Sequence, residues 1–262
     1  MPLRLTIVAC VTFVAGCAAW TSVPSLPERS SIVRDQLDIR SDFVLPQKHR
    51  LVEELVALRS DMGLKLDLPT SDEPIRVYLF DNANAYTAFM GKNYPTFPDR
   101  RAFFVESDTQ LVVYAYWGDR VAEDLRHEMA HGYLHSVTPN VPLWMDEGIA
   151  EFYELPRGQR GRSAAHIALL WKRYQERHWS PNLRRLESLN EVAHMEQSDY
   201  AEAWLWMHFL LETSRDRMAI VQSHLAELRR TGTAAPMSQV LSGVETVPEE
   251  SLAEHLTWLA TH

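Results

Sequence analysis

His127-Glu128-Met129-Ala130-His131 sets two imidazoles four residues apart in a chain of 262 residues. On a helix, side chains at that spacing project from one face a single turn apart, where both can reach one Zn²⁺ ion. The glutamate between them is positioned to take a proton from water at the coordination position such sites leave open. The spacing therefore predicts a metal-assisted hydrolytic site. Chance matches to so short a pattern occur, so the flanking sequence must support it. At about 100° per residue, Val121, Ala122, Leu125, Met129 and Tyr133 line one side of the segment 119–137, with His127 and His131 nearly opposite. One face packs and the other is free to bind.

A hydrolytic zinc site needs a third protein ligand. The metzincin spacing is excluded, because Leu134 and Val137 stand where it needs glycine and histidine. His135 lies too far along the helix axis from His127 to share its ion comfortably, and is expected to face solvent or support a ligand. Glu147 is the favoured donor. It falls in Pro142-Leu143-Trp144-Met145-Asp146-Glu147-Gly148-Ile149-Ala150-Glu151-Phe152-Tyr153, which begins with proline, continues with good helix formers, and can return antiparallel across a loop holding Pro139 and Pro142.

Before the motif, residues 48–62 carry leucines at helical intervals with Gly63 as a stop, 75–80 alternate as a strand, and 82–90 form a short capped helix. Residues 102–105 and 111–116 are β-branched and aromatic runs around a turn, predicting a strand pair. After the motif the pattern is helical throughout: 163–177, 198–212, 215–229 and 249–260. The expected fold class is α+β, with a small N-terminal sheet and the motif helix in residues 48–154 and a helical subdomain in 155–262. Arg157, Arg160 and Arg162 read as a solvated loop, the alternative being a face for an acidic substrate or terminal carboxylate.

His127-Glu128-x-x-His131 followed by Trp144-Met145-Asp146-Glu147-Gly148-Ile149-Ala150 resembles the gluzincin metallopeptidases: the aminopeptidase-N type and, more closely, the peptidase-MA-like domains of bacterial envelope proteins. The resemblance covers about Ile75 to Leu211 and implies a zincin-like fold with a cleft between its halves, one Zn²⁺ per chain, and a peptide or protein substrate. It implies Glu147 as third ligand and Glu128 as general base. It implies Glu151 as the carboxylate that hydrogen-bonds a ligand histidine, and Tyr200, which opens Tyr200-Ala201-Glu202-Ala203-Trp204, as a donor to the oxyanion. Asp146 replaces the asparagine usual in the aminopeptidases, and no Gly-Ala-Met-Glu-Asn-like segment is present to hold a free amine, so aminopeptidase specificity is not implied.

Residues 1–17 combine Arg4, the apolar run 5–14, and Val14-Ala15-Gly16-Cys17. The run suits a signal-peptide core and is too short to span a bilayer. Its end resembles the bacterial lipobox, which implies a lipid on Cys17. Ala18, in place of aspartate, then directs the protein to the outer membrane, facing the periplasm. The Ser- and Pro-rich residues 18–47 show no sustained periodicity and are expected to be a tether. With Cys10 removed and Cys17 capped, no cysteine remains to hold a metal or form a disulfide. A net charge of −9 argues against nucleic acid as a partner. The expected function is zinc-dependent peptide-bond hydrolysis in the cell envelope. The alternative is a catalytically inactive lipoprotein of the same fold acting as a binding or assembly module, against which the retained Glu128 weighs.

Overall fold

The computed structural model describes residues 25–262; the expected export signal and Cys17 lie outside the described residues. Five strands, β1 (Ser30–Arg34), β2 (Leu37–Ser41), β3 (Ile75–Phe80), β4 (Ala102–Ser107) and β5 (Gln110–Tyr116), form one sheet in the order β1-β2-β3-β5-β4. The central pair, β3 and β5, is parallel, with Ile75 opposite Leu111 and Phe80 opposite Tyr116. Strand side chains alternate between faces, and here both faces are covered. Ile75, Val77 and Leu79, with Leu111, Val113 and Ala115, join the main core with helices α1 (Arg50–Leu66) and α3 (Val121–His135). Tyr78, Phe80, Val112 and Tyr114 point the other way, onto Tyr86, Phe89 and Met90 of α2 (Ala83–Asn93).

Two expectations need correction. Residues 18–47 are not a tether throughout: β1 and β2 pair antiparallel, β2 runs parallel to β3, and Ile32, Leu37 and Ile39 are each 1% exposed. Strands of five residues offer only two or three inward positions, too few to register as a period, and Asp35 turns the chain in the left-handed region (φ 52°). Nor does α1 stop at Gly63. Leu66 is fully buried, so packing carries the helix one more turn, to a left-handed Asp67 (φ 53°).

After β5 the described chain is helical: α3, α4 (Leu143–Tyr153), α5 (Ala164–Gln175), α6 (Leu183–Glu187), α7 (Gln197–Glu212), α8 (Arg215–Thr231), α9 (Met237–Ser242) and α10 (Pro248–Thr261), with short 3₁₀ turns between. α6 and α9 are too short to show a helical period in sequence. α7 is apolar nearly all round and runs through the centre, with Trp204 and Trp206 fully buried and Trp204 Nε1 donating to the Gly161 carbonyl at 2.7 Å. α4 lies directly on it: a Cβ on Gly148 would stand 2.6 Å from the Ala203 carbonyl oxygen. One apolar cluster extends from Ile32 to Leu259, so the core is continuous across residues 154 and 155, while the change from strand to helix falls earlier, at the end of β5. Among the described residues no helix is long and apolar enough to cross a membrane.

Candidate metal centre

α3 packs against β5 and β4 through its apolar face, with Leu125, Met129, Ala130 and Leu134 fully buried. That orientation leaves His127, Glu128, His131 and His135 along the side that α4 and β4 approach. α4 returns after a seven-residue connection in which Asn140 adopts φ 54° and its side-chain amide donates to the Gly232 carbonyl at 3.0 Å. Pro142 caps the start of α4 instead of occupying its first turn. Gly148 then lets α4 settle onto α7 with Glu147, the preceding residue, turned toward α3.

The three expected ligands converge. His127 Nε2 and His131 Nε2 are 3.3 Å apart, and Glu147 Oε2 lies 3.6 Å from the first and 3.8 Å from the second. A tetrahedral ion with bonds of about 2.0–2.2 Å separates its donors by about 3.3–3.6 Å, so the triangle is close to the size such an ion requires. Glu147 is only 4% exposed and its Oε2 has no hydrogen-bond partner among the described residues. Leaving a buried carboxylate oxygen unpaired is costly, and a cation between it and the two imidazoles removes the cost. The residues present fit a metal ion.

A ring of further carboxylates fixes the imidazoles. His131 Nδ1 donates to Asp146 Oδ1 at 2.8 Å, and His127 Nδ1 lies 3.3 Å from Glu154 Oε2. Each contact keeps the proton on Nδ1 and turns the Nε2 lone pair toward Glu147. Here the expectation for Glu151 fails, since its Oε2 accepts from His166 Nε2 at 2.7 Å. One turn beyond Glu147 it faces α5, whereas Glu154, at the C-cap of α4, reaches His127. His135 does not face solvent: its Nδ1 donates to Glu106 Oε2 at 2.6 Å and its Nε2 is 3.1 Å from Asp146 Oδ1.

Electrostatics follow from this crowding. Burial alone would pull the His127 imidazole down, but Glu147 and Glu154 on its two nitrogens carry it well above its ordinary value. His131 is raised against burial by Asp146, and His135, likewise buried, reaches about 9 through Asp146 and Glu106. Burial pushes the Asp146 carboxyl up, yet His131 and His135 hold it well below the carboxylate range. A field that retains protons on three histidines also favours a divalent cation among them. For Glu128, burial and the Glu147 charge raise the carboxyl despite both imidazoles. Glu128 Oε2 accepts the Phe104 backbone N–H of β4 at 2.6 Å.

His127, Glu128 and Glu154 open into a cleft of about 500 Å³ walled by Tyr86, Arg100 and Arg101. Arg100 belongs to no motif legible in the sequence. Its Nη2 donates to the Tyr200 hydroxyl at 2.9 Å, and its guanidinium lies 5.9 Å from the ring centres of both Tyr200 and Phe103. Tyr200, half-buried at the start of α7, makes no hydrogen bond to the three ligand residues among the described residues. Burial first and the nearby Glu147 charge second raise its phenol, against the lowering effect of Arg100.

Residues 121–231 match one family model. Its description is "Protein of unknown function (DUF1570)", and the match runs from the first residue of α3 to the last of α8. It therefore holds His127, Glu128, His131, Glu147 and Tyr200 together and excludes the sheet and Arg100. No curated protein matches the chain.

Proposed function

We propose that this chain is a zinc-dependent peptide-bond hydrolase of the zincin-like, gluzincin type, working in the cell envelope from a lipid anchor on Cys17. The observation that carries the reading is the meeting of His127, His131 and Glu147 around an otherwise unpaired Glu147 Oε2. The donor set, two imidazoles and one carboxylate, is that of hydrolytic zinc sites, which keep a fourth position open. Bound there, zinc supplies Lewis acidity toward a carbonyl oxygen and lowers the pKa of water toward neutrality.

The chain's own residues account for the remaining chemistry. Glu128, one residue from His127 and open to the cleft, removes the proton from the attacking water and delivers it to the leaving amine. Its raised pKa suits both directions of transfer. Asp146 and Glu154 hold the imidazoles in one tautomer through the cycle. Because the Tyr200 oxygen accepts from Arg100, its own proton is free to donate to charge developing on the substrate oxygen.

The test is zinc content per purified chain, followed by casein or peptide cleavage with Glu128→Gln as control. One equivalent of zinc, with cleavage lost on substitution, supports the hydrolase. Zinc without Glu128-dependent cleavage turns the reading to the inactive binding module, and absence of zinc overturns both.

A further inference from the structure

On the far end of α7 from Tyr200, a second cavity of about 380 Å³ is lined by His208 and Glu212 of α7, Arg160 and Arg162 of the loop joining α4 to α5, and His255 and Trp258 of α10. His208 Nδ1 and His255 Nε2 share a hydrogen bond of 3.0 Å, and His208 Nε2 and His255 Nδ1 make no hydrogen bond among the described residues. The one carboxylate in the wall, Glu212, is already neutralised twice, by Lys65 Nζ at 2.5 Å and Arg160 Nη2 at 2.6 Å. Arg162 spends one N–H on the Leu259 carbonyl at 2.7 Å and has no carboxylate within 4.0 Å among the described residues. In a chain of net charge −9, this cavity concentrates cations around two imidazole edges and one broad apolar ring.

We infer that this cavity binds a small oxyanion, a carboxylate or phosphate group carried on an apolar body, with Arg162, Arg160 and the one free N–H of the neutral His208–His255 pair on the anion, the second imidazole edge joining once the pair takes up a proton, and Trp258 against the body. Five N–H donors on each guanidinium suit such a group, and the volume falls within the range of small-molecule sites. The titration behaviour is consistent. Burial first, then Arg162, Arg160 and Lys65, hold His208 down at about 4. Burial, His208 and Arg217 do the same for His255. Burial disfavours charge of either sign, but the contribution of Arg162, Arg160 and Lys65 is a positive potential that favours an anion. The site shares no residue with the metal centre, so its success or failure is independent of the hydrolase reading.

The test uses the full chain carrying Glu147→Gln, to silence anion binding at any bound metal, with inorganic phosphate and benzoate as probes at matched ionic strength. The readouts are titration calorimetry and the imidazole resonances of His208 and His255. The expected result is saturable binding of at least one probe, with both resonances moving toward the protonated position, and at least tenfold weaker binding in Arg162→Gln. Phosphate alone binding identifies a phosphoryl ligand; benzoate alone, a carboxylate on an aromatic or aliphatic body. Should Arg162→Gln fail to fold, Trp258→Ala is to weaken benzoate at least tenfold, and the resonances of the otherwise unsubstituted chain still decide. Neither probe moving those resonances, or equal binding in a folded Arg162→Gln chain, overturns the proposal.

Discussion

Asp146 and Glu154 determine which nitrogen each ligand ring presents, and neither touches the triangle of donor atoms itself. Replacing Asp146 by Asn keeps the shape but removes the charge that orients His131, so metal affinity is expected to fall about 10- to 100-fold, read by competition with a chromogenic chelator. Glu147→Ala removes a donor outright, and zinc content per chain should fall far below one equivalent. Tyr200→Phe behaves differently. It leaves every donor in place, so zinc content stays unchanged while kcat drops by about 10²-fold or more, as loss of a single oxyanion donor does. If Tyr200→Phe cleaves peptide at the unsubstituted rate, its hydroxyl has no part in the reaction.

Among the elements, the α4–α7 contact sets where Glu147 stands. Gly148 permits it, since a methyl group there meets the Ala203 carbonyl oxygen at 2.6 Å and Met207 Cγ at 2.7 Å. Backbone does not yield as a flexible side chain does, so Gly148→Ala must push α4 away from α7. The expected cost is about 1–3 kcal/mol in denaturant unfolding. Because Glu147 adjoins the displaced residue, weaker zinc binding should accompany it. Loss of stability with unchanged zinc affinity would show that α4 tilts about Glu147 instead of carrying it away.

For the whole molecule, two linked equilibria follow from charge. A ligand that binds only the folded state stabilises it by mass action, about 2.7 kcal/mol at a hundredfold excess over Kd. Chelation should therefore lower Tm, and zinc should restore it. Acid acts through His208. Its folded-state value near 4 lies below the ordinary histidine value of 6.5, so the unfolded chain takes up a proton first as pH falls. The stability contributed by the neutral, buried ring is present above about pH 6.5 and is lost progressively toward pH 4, by up to about 3 kcal/mol. Measured between those limits, His208→Phe should lose stability less steeply than the unsubstituted chain. Identical slopes would mean that His208 titrates normally in the folded state.

The motif helix, strands β3 and β5 and the long C-terminal helices are legible in the sequence because each repeats its apolar period over enough residues to be seen. The candidate triad His127, His131 and Glu147 is legible because helical spacing is local geometry and few residue types can hold a metal ion. β1 and β2 are not, because five-residue strands show no period until a neighbouring strand supplies their partner. Arg100 and Glu154 are not, because their roles arise from approach across the fold: one reaches Tyr200 from a loop a hundred residues away, the other meets His127 only after α4 has folded back. The same holds for Glu151, whose place one turn beyond Glu147 suggested a role at the ligands. The packing of α5 against α7 gave it to His166 instead. Sequence alone determined which atoms could hold a cation; only tertiary packing decided which carboxylates stand behind them, because side chains on different elements acquire neighbours when those elements dock.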